Sequence, residues 1–198
     1  TAVLTCLAGD PRLSALDWPR VSLWWGDERF LPTGDPDRND AAAAEFLAAL
    51  PLPGPRVHRM PSSDDGLEVD AAARLYAEEL AASAHEGQLG PSFDISLISI
   101  GPDGHIDSLF PGHAATRMRA SWVVPVRNSP KPPPERITLT FPALRRSREI
   151  WLLGSGAEKS EAVRRALSDA PWDLVPAAGA RGRERTVVFL DDAAAGAV

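Results

Sequence analysis

Short apolar runs alternate along the chain with stretches whose apolar residues recur at helical spacing. Apolar runs rich in β-branched and aromatic residues predict strands. The run 93–100 is the clearest, and we expect it to be buried on both faces, as parallel strands usually are. Predicted strands cover residues 1–5, 20–25, 93–100, 121–126, 136–141, 149–154 and 186–190.

Helical patterns lie between these strands. Residues 39–50 are rich in alanine, begin with the capping residue Asn39 and end before Pro51, and residues 69–84 carry apolar positions at helical spacing. Ser155-Gly-Ala-Glu158 matches a capping box and predicts a third helix after Gly154. This alternation favours an α/β class: a single-domain layered fold with a mostly parallel central sheet flanked by helices.

The composition argues against nucleic acid and a membrane as binding partners. The chain has 198 residues, of which 44% are hydrophobic and 24% charged, a balance typical of one globular domain. A formal net charge of −6 argues against a general nucleic-acid binder, and an anionic ligand would need locally placed cations. No apolar run approaches the about 20 residues that cross a bilayer, so we expect no membrane partner.

The single cysteine, Cys6, cannot form an intrachain disulfide and fits a reducing compartment, where we expect it to be a small buried hydrophobic residue. No Cys/His cluster or HExxH spacing indicates a metal centre. The sequence therefore predicts a cytoplasmic protein without metal or cofactor.

A glycine-rich turn that carries a histidine follows the predicted strand 93–100. Because ligands of α/β folds bind beyond the carboxyl ends of strands, His105 is the candidate general base. Gly101 and Gly104 permit positive φ and close backbone approach, so we expect their N–H groups to face an anion or an oxyanion. Asp103 is expected to cap the turn first, with orientation of His105 as its alternative role, while Asp107 has no assigned role.

Two cations could complete a site at the same edge. Arg29 ends the segment Trp24-Trp-Gly-Asp-Glu-Arg29 and could bind phosphate, or could pair with Asp27 or Glu28. Lys131 lies between two prolines, which could aim its ammonium group, although an exposed lysine is the alternative. The other histidines are expected to be structural or solvated; they are His58, His85 and His113.

Several motifs together carry a resemblance. The segment 101–112, Gly-Pro-Asp-Gly-His-Ile-Asp-Ser-Leu-Phe-Pro-Gly, resembles the signature of the 6-phosphogluconolactonases. The segments 25–29 with 36–39, 129–134 with 136–140, and 187–194 resemble further motifs of that family, so the resemblance spans nearly the whole chain. It implies the sugar-phosphate isomerase/lactonase fold.

The resemblance also implies a reaction and a site. It implies hydrolysis of 6-phospho-D-glucono-1,5-lactone to 6-phospho-D-gluconate, a step of the oxidative pentose phosphate pathway, by a cytoplasmic monomer or homodimer. Water is the expected nucleophile, because the chain has no GxSxG elbow, and His105 would activate it. Arg29 and Lys131 would bind the phosphate, and the other substrate contacts would come from Gly101, Asp103 and Gly104.

Two alternatives stay open. Glucosamine-6-phosphate deaminases or isomerases resemble lactonases in fold and share the Gly-x-Asp-Gly-His turn. The continuation Ile106-Asp-Ser-Leu-Phe-Pro111 matches the lactonase pattern, whereas deaminases place an Asn-Glu-Pro element there. A noncatalytic sugar-phosphate sensor would keep the anion site without needing the base.

The beginning of the sequence departs from the family pattern. Residues 1–5 resemble the first substrate-site strand, which a Gly-Gly loop should follow, yet Thr5 runs directly into Cys6. We therefore expect the single domain, 1–198, to lack its natural N-terminus and a glycine-rich loop between Thr5 and Cys6. That loop would supply backbone N–H groups to the phosphate.

Overall fold

The computed structural model describes residues 2–50, 56–84 and 90–196. The helices in these ranges are α1 (Ala2–Ala8), α2 (Asn39–Ala42), α3 (Ala44–Ala48), α4 (Val69–Ala82), α5 (Phe141–Leu144), α6 (Ser160–Ala166), α7 (Pro176–Gly179) and α8 (Asp192–Ala195). The strands are β1 (Leu23–Trp24), β2 (Asp27–Arg29), β3 (Val57–His58), β4 (Ile95–Ser99), β5 (Val123–Val126), β6 (Arg136–Leu139), β7 (Glu149–Gly154) and β8 (Arg185–Leu190). None of the helices in this part of the chain has the length and apolar character of a membrane span.

A parallel sheet with the order β4-β7-β8 confirms the predicted α/β class. Ile98, Ile150 and Leu152 are buried on one face of this sheet. The expected burial of β4 on both faces is wrong, because Ile95 and Leu97 are 48% and 46% exposed. Successive side chains of a strand point to opposite faces, so the positions 95 and 97 share the face that is not packed.

A second sheet departs from the mostly parallel arrangement. It has the order β2-β6-β5 and is antiparallel, while β1 and β3 form a separate parallel pair. Helix α4 packs against β5 and β6. Its fully buried Tyr76 accepts a hydrogen bond from the Trp25 N–H and donates one to the Trp25 carbonyl, which ties the segment before β2 to the core.

The first predicted strand is wrong, since α1 runs through Thr5 and Cys6. Leu4 and Leu7 pack near Trp18 and Phe46, and their spacing of three residues suits one face of a helix. Cys6 is exposed, contrary to the expected burial. The glycine-rich loop between residues 5 and 6 stays a prediction.

Two other helical expectations need correction. The predicted helix over 39–50 is divided at Ala43 into α2 and α3. A helix does follow Gly154, but Ser155 does not cap it, because its hydroxyl donates to Asp191 and α6 begins after a 3₁₀ turn at Ala157–Lys159. Asp191 also accepts the Gly156 N–H, so a carboxylate beyond β8, rather than a capping box, binds the turn after Gly154.

Buried Glu28 fastens β2 to the start of α2. Its carboxylate accepts backbone N–H groups of Arg29, Asn39 and Asp40 at 2.7, 2.6 and 2.9 Å. The guanidinium of Arg38 lies 3.8 Å from the same carboxylate, and both side chains are at most 2% exposed. Burial raises the pKa of Glu28, while these donors and Arg38 oppose the rise. Glu28 thereby fixes the backbone from which Arg29 extends.

Replacing Glu28 with alanine is expected to destabilise the fold by about 3 kcal/mol, because it leaves three backbone N–H groups without their acceptor. Urea unfolding measures the change. Exposed Glu45 on α3 provides the control, and Glu45→Ala should change the free energy of unfolding by less than about 0.5 kcal/mol. Equal effects of the two substitutions would show that Glu28 has no such role.

Candidate active site

His105 lies on the turn that follows β4, with its ring directly above Gly101. A Cβ atom added to Gly101 would overlap the imidazole, so only glycine permits this close approach. Gly104 has the expected positive φ, at 86°. Ile106, Leu109 and Phe110 are at most 1% exposed and anchor the turn in the core.

Asp103 and Lys131 both contact the same ring nitrogen of His105. Asp103 Oδ1 is hydrogen-bonded to His105 Nδ1, and Lys131 Nζ lies 3.2 Å from that nitrogen and 3.4 Å from Asp103 Oδ1. The turn-capping contact, from the His105 N–H to Asp103 Oδ1, is longer at 3.4 Å. Orientation of His105 is therefore the stronger role for Asp103. With the proton of neutral imidazole on Nδ1, Nε2 is free to accept another.

Burial keeps His105 in its neutral form near pH 7. Burial lowers the pKa of His105, Lys131 lowers it further, and the hydrogen bond and charge of Asp103 oppose the shift. For Asp103, burial raises the pKa, but the hydrogen bond with His105 and the charge of Lys131 outweigh it, so the net shift is downward. The arrangement pairs an ionised carboxylate with a neutral imidazole, which is the state that a general base requires.

The amides of Gly101 and Gly104 are hydrogen-bonded within the turn. Gly101 N–H donates to the His105 carbonyl and Gly104 N–H donates to the Gly101 carbonyl, each at 2.9 Å. These N–H groups are used inside the turn, and the role of Gly101 and Gly104 in binding an anion stays a prediction. Pro102 has no N–H group, and the Asp103 N–H faces its own carboxylate and lowers its pKa.

Arg29 extends from the end of β2 and is held by neutral groups. Its Nη1 donates to the Asp37 carbonyl and to Asn39 Oδ1, at 2.8 and 2.9 Å. Its buried Nε has no hydrogen-bond partner in the part of the chain that the structure describes. Within the same ranges no carboxylate lies at ion-pair distance from its guanidinium, so the pairing with Asp27 or Glu28 is not formed.

Arg136 is a residue of this region whose role the sequence analysis missed. It pairs with Arg29 across β2 and β6 and is only 4% exposed. Its Nη2 donates to the carbonyls of Lys131 and Pro132, at 3.1 and 2.9 Å, so Arg136 holds the lysine loop in place. A charged residue inside the apolar strand pattern 136–141 was the available signal.

The structure thus brings His105, Asp103, Lys131 and Gly101 into direct contact, and it connects Arg29 to them through Arg136. Three separate parts of the chain build the region: the end of β2, the turn after β4 and the loop before β6. A histidine and a lysine are in contact and two arginines lie on the paired strands β2 and β6, which suits an anionic substrate with a reactive carbonyl group.

The other histidines match their structural expectation where they are described. His58 stacks on Trp24 and contacts Glu79, while His113 accepts the Ala115 N–H and caps a 3₁₀ turn. His85 lies outside the described residues. In those ranges no group of three or more potential metal ligands comes together.

Comparisons of the sequence with known proteins point to one family. A family model described as "Glucosamine-6-phosphate isomerases/6-phosphogluconolactonase" matches residues 1–189. A 6-phosphogluconolactonase of Streptomyces coelicolor is 53% identical, with 98% of this chain and 76% of that protein covered. One of Mycobacterium tuberculosis is 50% identical, with 91% and 74% covered.

Solved structures give the same answer for the fold. The devB protein has a TM-score of 0.85 at 28% identity, covering 100% of this chain and 82% of its own. The Thermotoga maritima 6-phosphogluconolactonase has a TM-score of 0.77 at 28% identity, covering 92% and 81%. The chain belongs to the glucosamine-6-phosphate isomerase/6-phosphogluconolactonase family.

Proposed function

We propose that this protein hydrolyses 6-phospho-D-glucono-1,5-lactone to 6-phospho-D-gluconate in the cytoplasm, as a monomer or homodimer. Relatives with 53% and 50% identity are named 6-phosphogluconolactonase. The observation that carries the proposal is the contact of His105 Nδ1 with Asp103, beside Lys131. It leaves Nε2 as a base next to a group of cations.

The chemistry requires one proton acceptor that later acts as a donor. Nε2 of His105 takes a proton from a water molecule as that water attacks C1 of the lactone, and the carbonyl electrons move to oxygen. Asp103 stabilises the imidazolium that forms. The C1–O5 bond then breaks, the ring oxygen takes the proton from His105, and the product acid ionises.

The phosphate group would bind at Arg29 and Lys131. Arg29 is half-buried and has no carboxylate partner in the described ranges, and the Lys131 side chain is 41% exposed, so both are candidates to bind a solvent-borne anion. Arg136 would act through the loop carbonyls that it binds. In a chain of net charge −6, such local cations are what draws an anionic substrate to this edge.

The deaminase alternative has less support. A monomeric glucosamine-6-phosphate deaminase has a TM-score of 0.78 at 24% identity, a likeness that concerns the fold alone. The segment after His105, whose Ile106, Leu109 and Phe110 are buried, follows the lactonase pattern. A sugar-phosphate sensor would bind 6-phosphogluconate without consuming the lactone, and the following experiment separates these functions.

His105→Asn is expected to lower kcat by at least about 10²-fold, because asparagine cannot act as the base. A coupled assay with freshly generated lactone, corrected for spontaneous hydrolysis, measures the rate. The control is His113→Asn, which keeps a good capping residue and should keep full activity. A folded His105→Asn enzyme with normal turnover contradicts the assignment, and a wild-type chain that binds 6-phosphogluconate without lactonase activity supports a sensor.

Arg29→Met and Lys131→Met are each expected to weaken binding of 6-phosphogluconate by about 10- to 100-fold, with a smaller effect on gluconate. Calorimetric titration with both ligands measures the difference. Arg164→Met on α6 removes a cation from the exposed pair with Glu161 and should change neither affinity. Equal losses for both ligands would reject the phosphate role.

A further inference from the structure

Asp107 lies two residues beyond His105 and has no role in the steps above. Its backbone is left-handed, with φ at 47°. Its carboxyl packs against Gly26, where an added Cβ would lie 2.8 Å from Oδ1 and 3.0 Å from Oδ2. Oδ2 is buried and has no hydrogen-bond partner in the ranges that the structure describes.

A second carboxyl, that of Asp27, is held in the same place. Gly26, which touches Asp107, precedes it, and Ser108, which follows Asp107, donates its hydroxyl to Asp27 Oδ2 at 2.6 Å. Asn39 Nδ2 donates to Asp27 Oδ1 at 3.0 Å. Asp27 is therefore compensated by a donor on each oxygen, whereas Asp107 is not.

This asymmetry decides which carboxyl holds a proton. Two adjacent carboxylates repel, and burial penalises the charged form of the one without donors. Burial, together with the charge of Asp27, raises the pKa of Asp107 well above its ordinary value. A neutral carboxylic acid avoids the cost of a buried charge whose oxygen has no donor.

We propose that Asp107 stays protonated, as a positioning residue that packs the histidine turn against Gly26 before β2 and leaves the Asp27–Asp107 pair with one negative charge rather than two. Only the catalytic benefit rests on the proposed function. The protonation and the contact with Gly26 are properties of the folded chain and can be tested without substrate.

The charges around the pair show why this matters to His105. Asp27 already acts on the imidazole and opposes the lowering of its pKa by burial. From the other elements, Asp103 and Lys131 act on His105, and Arg136 of β6 interacts with Asp27. A second carboxylate would raise the pKa of His105 further and would convert more of the base to imidazolium.

The first test is stability against pH, with Asp107→Asn as an isosteric form that cannot ionise. A group whose folded pKa is raised loses its stabilising contribution as pH increases from the unfolded value of about 3.9. The unfolding constant of the wild type relative to Asp107→Asn should therefore grow up to tenfold per pH unit between that value and the folded pKa, and then level. A ratio that does not change with pH would overturn the proposal.

A second variant keeps this test decisive if asparagine disturbs the turn. Glycine suits a left-handed backbone, so Asp107→Gly should fold without strain at this position. The unfolding constant of the wild type relative to Asp107→Gly should show the same growth with pH. Asp169→Asn removes an exposed carboxylate and serves as the matched control, which should not show it. Growth of equal size in Asp169→Asn would contradict the assignment to Asp107.

NMR titration of the His105 ring gives an independent readout. In the wild type, His105 should show its own titration and a second deflection where Asp107 ionises. Asp107→Asn should remove that second deflection and leave the first in place. If Asp107 were already ionised in the wild type, the substitution would instead lower the pKa of His105, which would overturn the proposal whether or not the protein hydrolyses lactones.

Discussion

The hydrogen bond between Asp103 and His105 Nδ1 is the interaction on which the candidate chemistry depends. It determines which ring nitrogen holds the proton and leaves Nε2 as the base. It forms only because Gly101 lets the imidazole lie against the backbone, where any side chain would overlap the ring. Lys131 adds a positive charge beside the same nitrogen, so the candidate base and one candidate phosphate-binding cation are in direct contact.

The rest of the structure serves to bring this turn to the cations. Glu28 collects the N–H groups that join β2 to α2 and so fixes the origin of Arg29. Arg136, paired with Arg29 on the neighbouring strand, donates to the carbonyls of the lysine loop. Buried polar groups with several partners define one geometry, because every alternative leaves a donor or a charge uncompensated.

The sequence predicted correctly those elements that depend on neighbouring residues in the chain. Continuous apolar runs predicted β5, β6, β7 and β8 closely, and the glycine turn predicted the position of His105. It failed where long-range contacts decide: the charged strand β2 forms because β6 pairs with it, and residues 2–8 are helical with Leu4 and Leu7 in the cluster around Trp18. The use of the Gly101 amide inside the turn also depends on geometry that no residue pattern specifies.

A crystal structure with bound 6-phosphogluconate tests the central claim most directly. The account predicts the phosphate within hydrogen-bond distance of Arg29 and Lys131. It also predicts the carboxyl carbon of the product within reach of His105 Nε2, directly or through one water molecule at about 3 Å. A ligand whose carboxyl group lies away from Nε2, or whose phosphate contacts neither cation, would contradict the account.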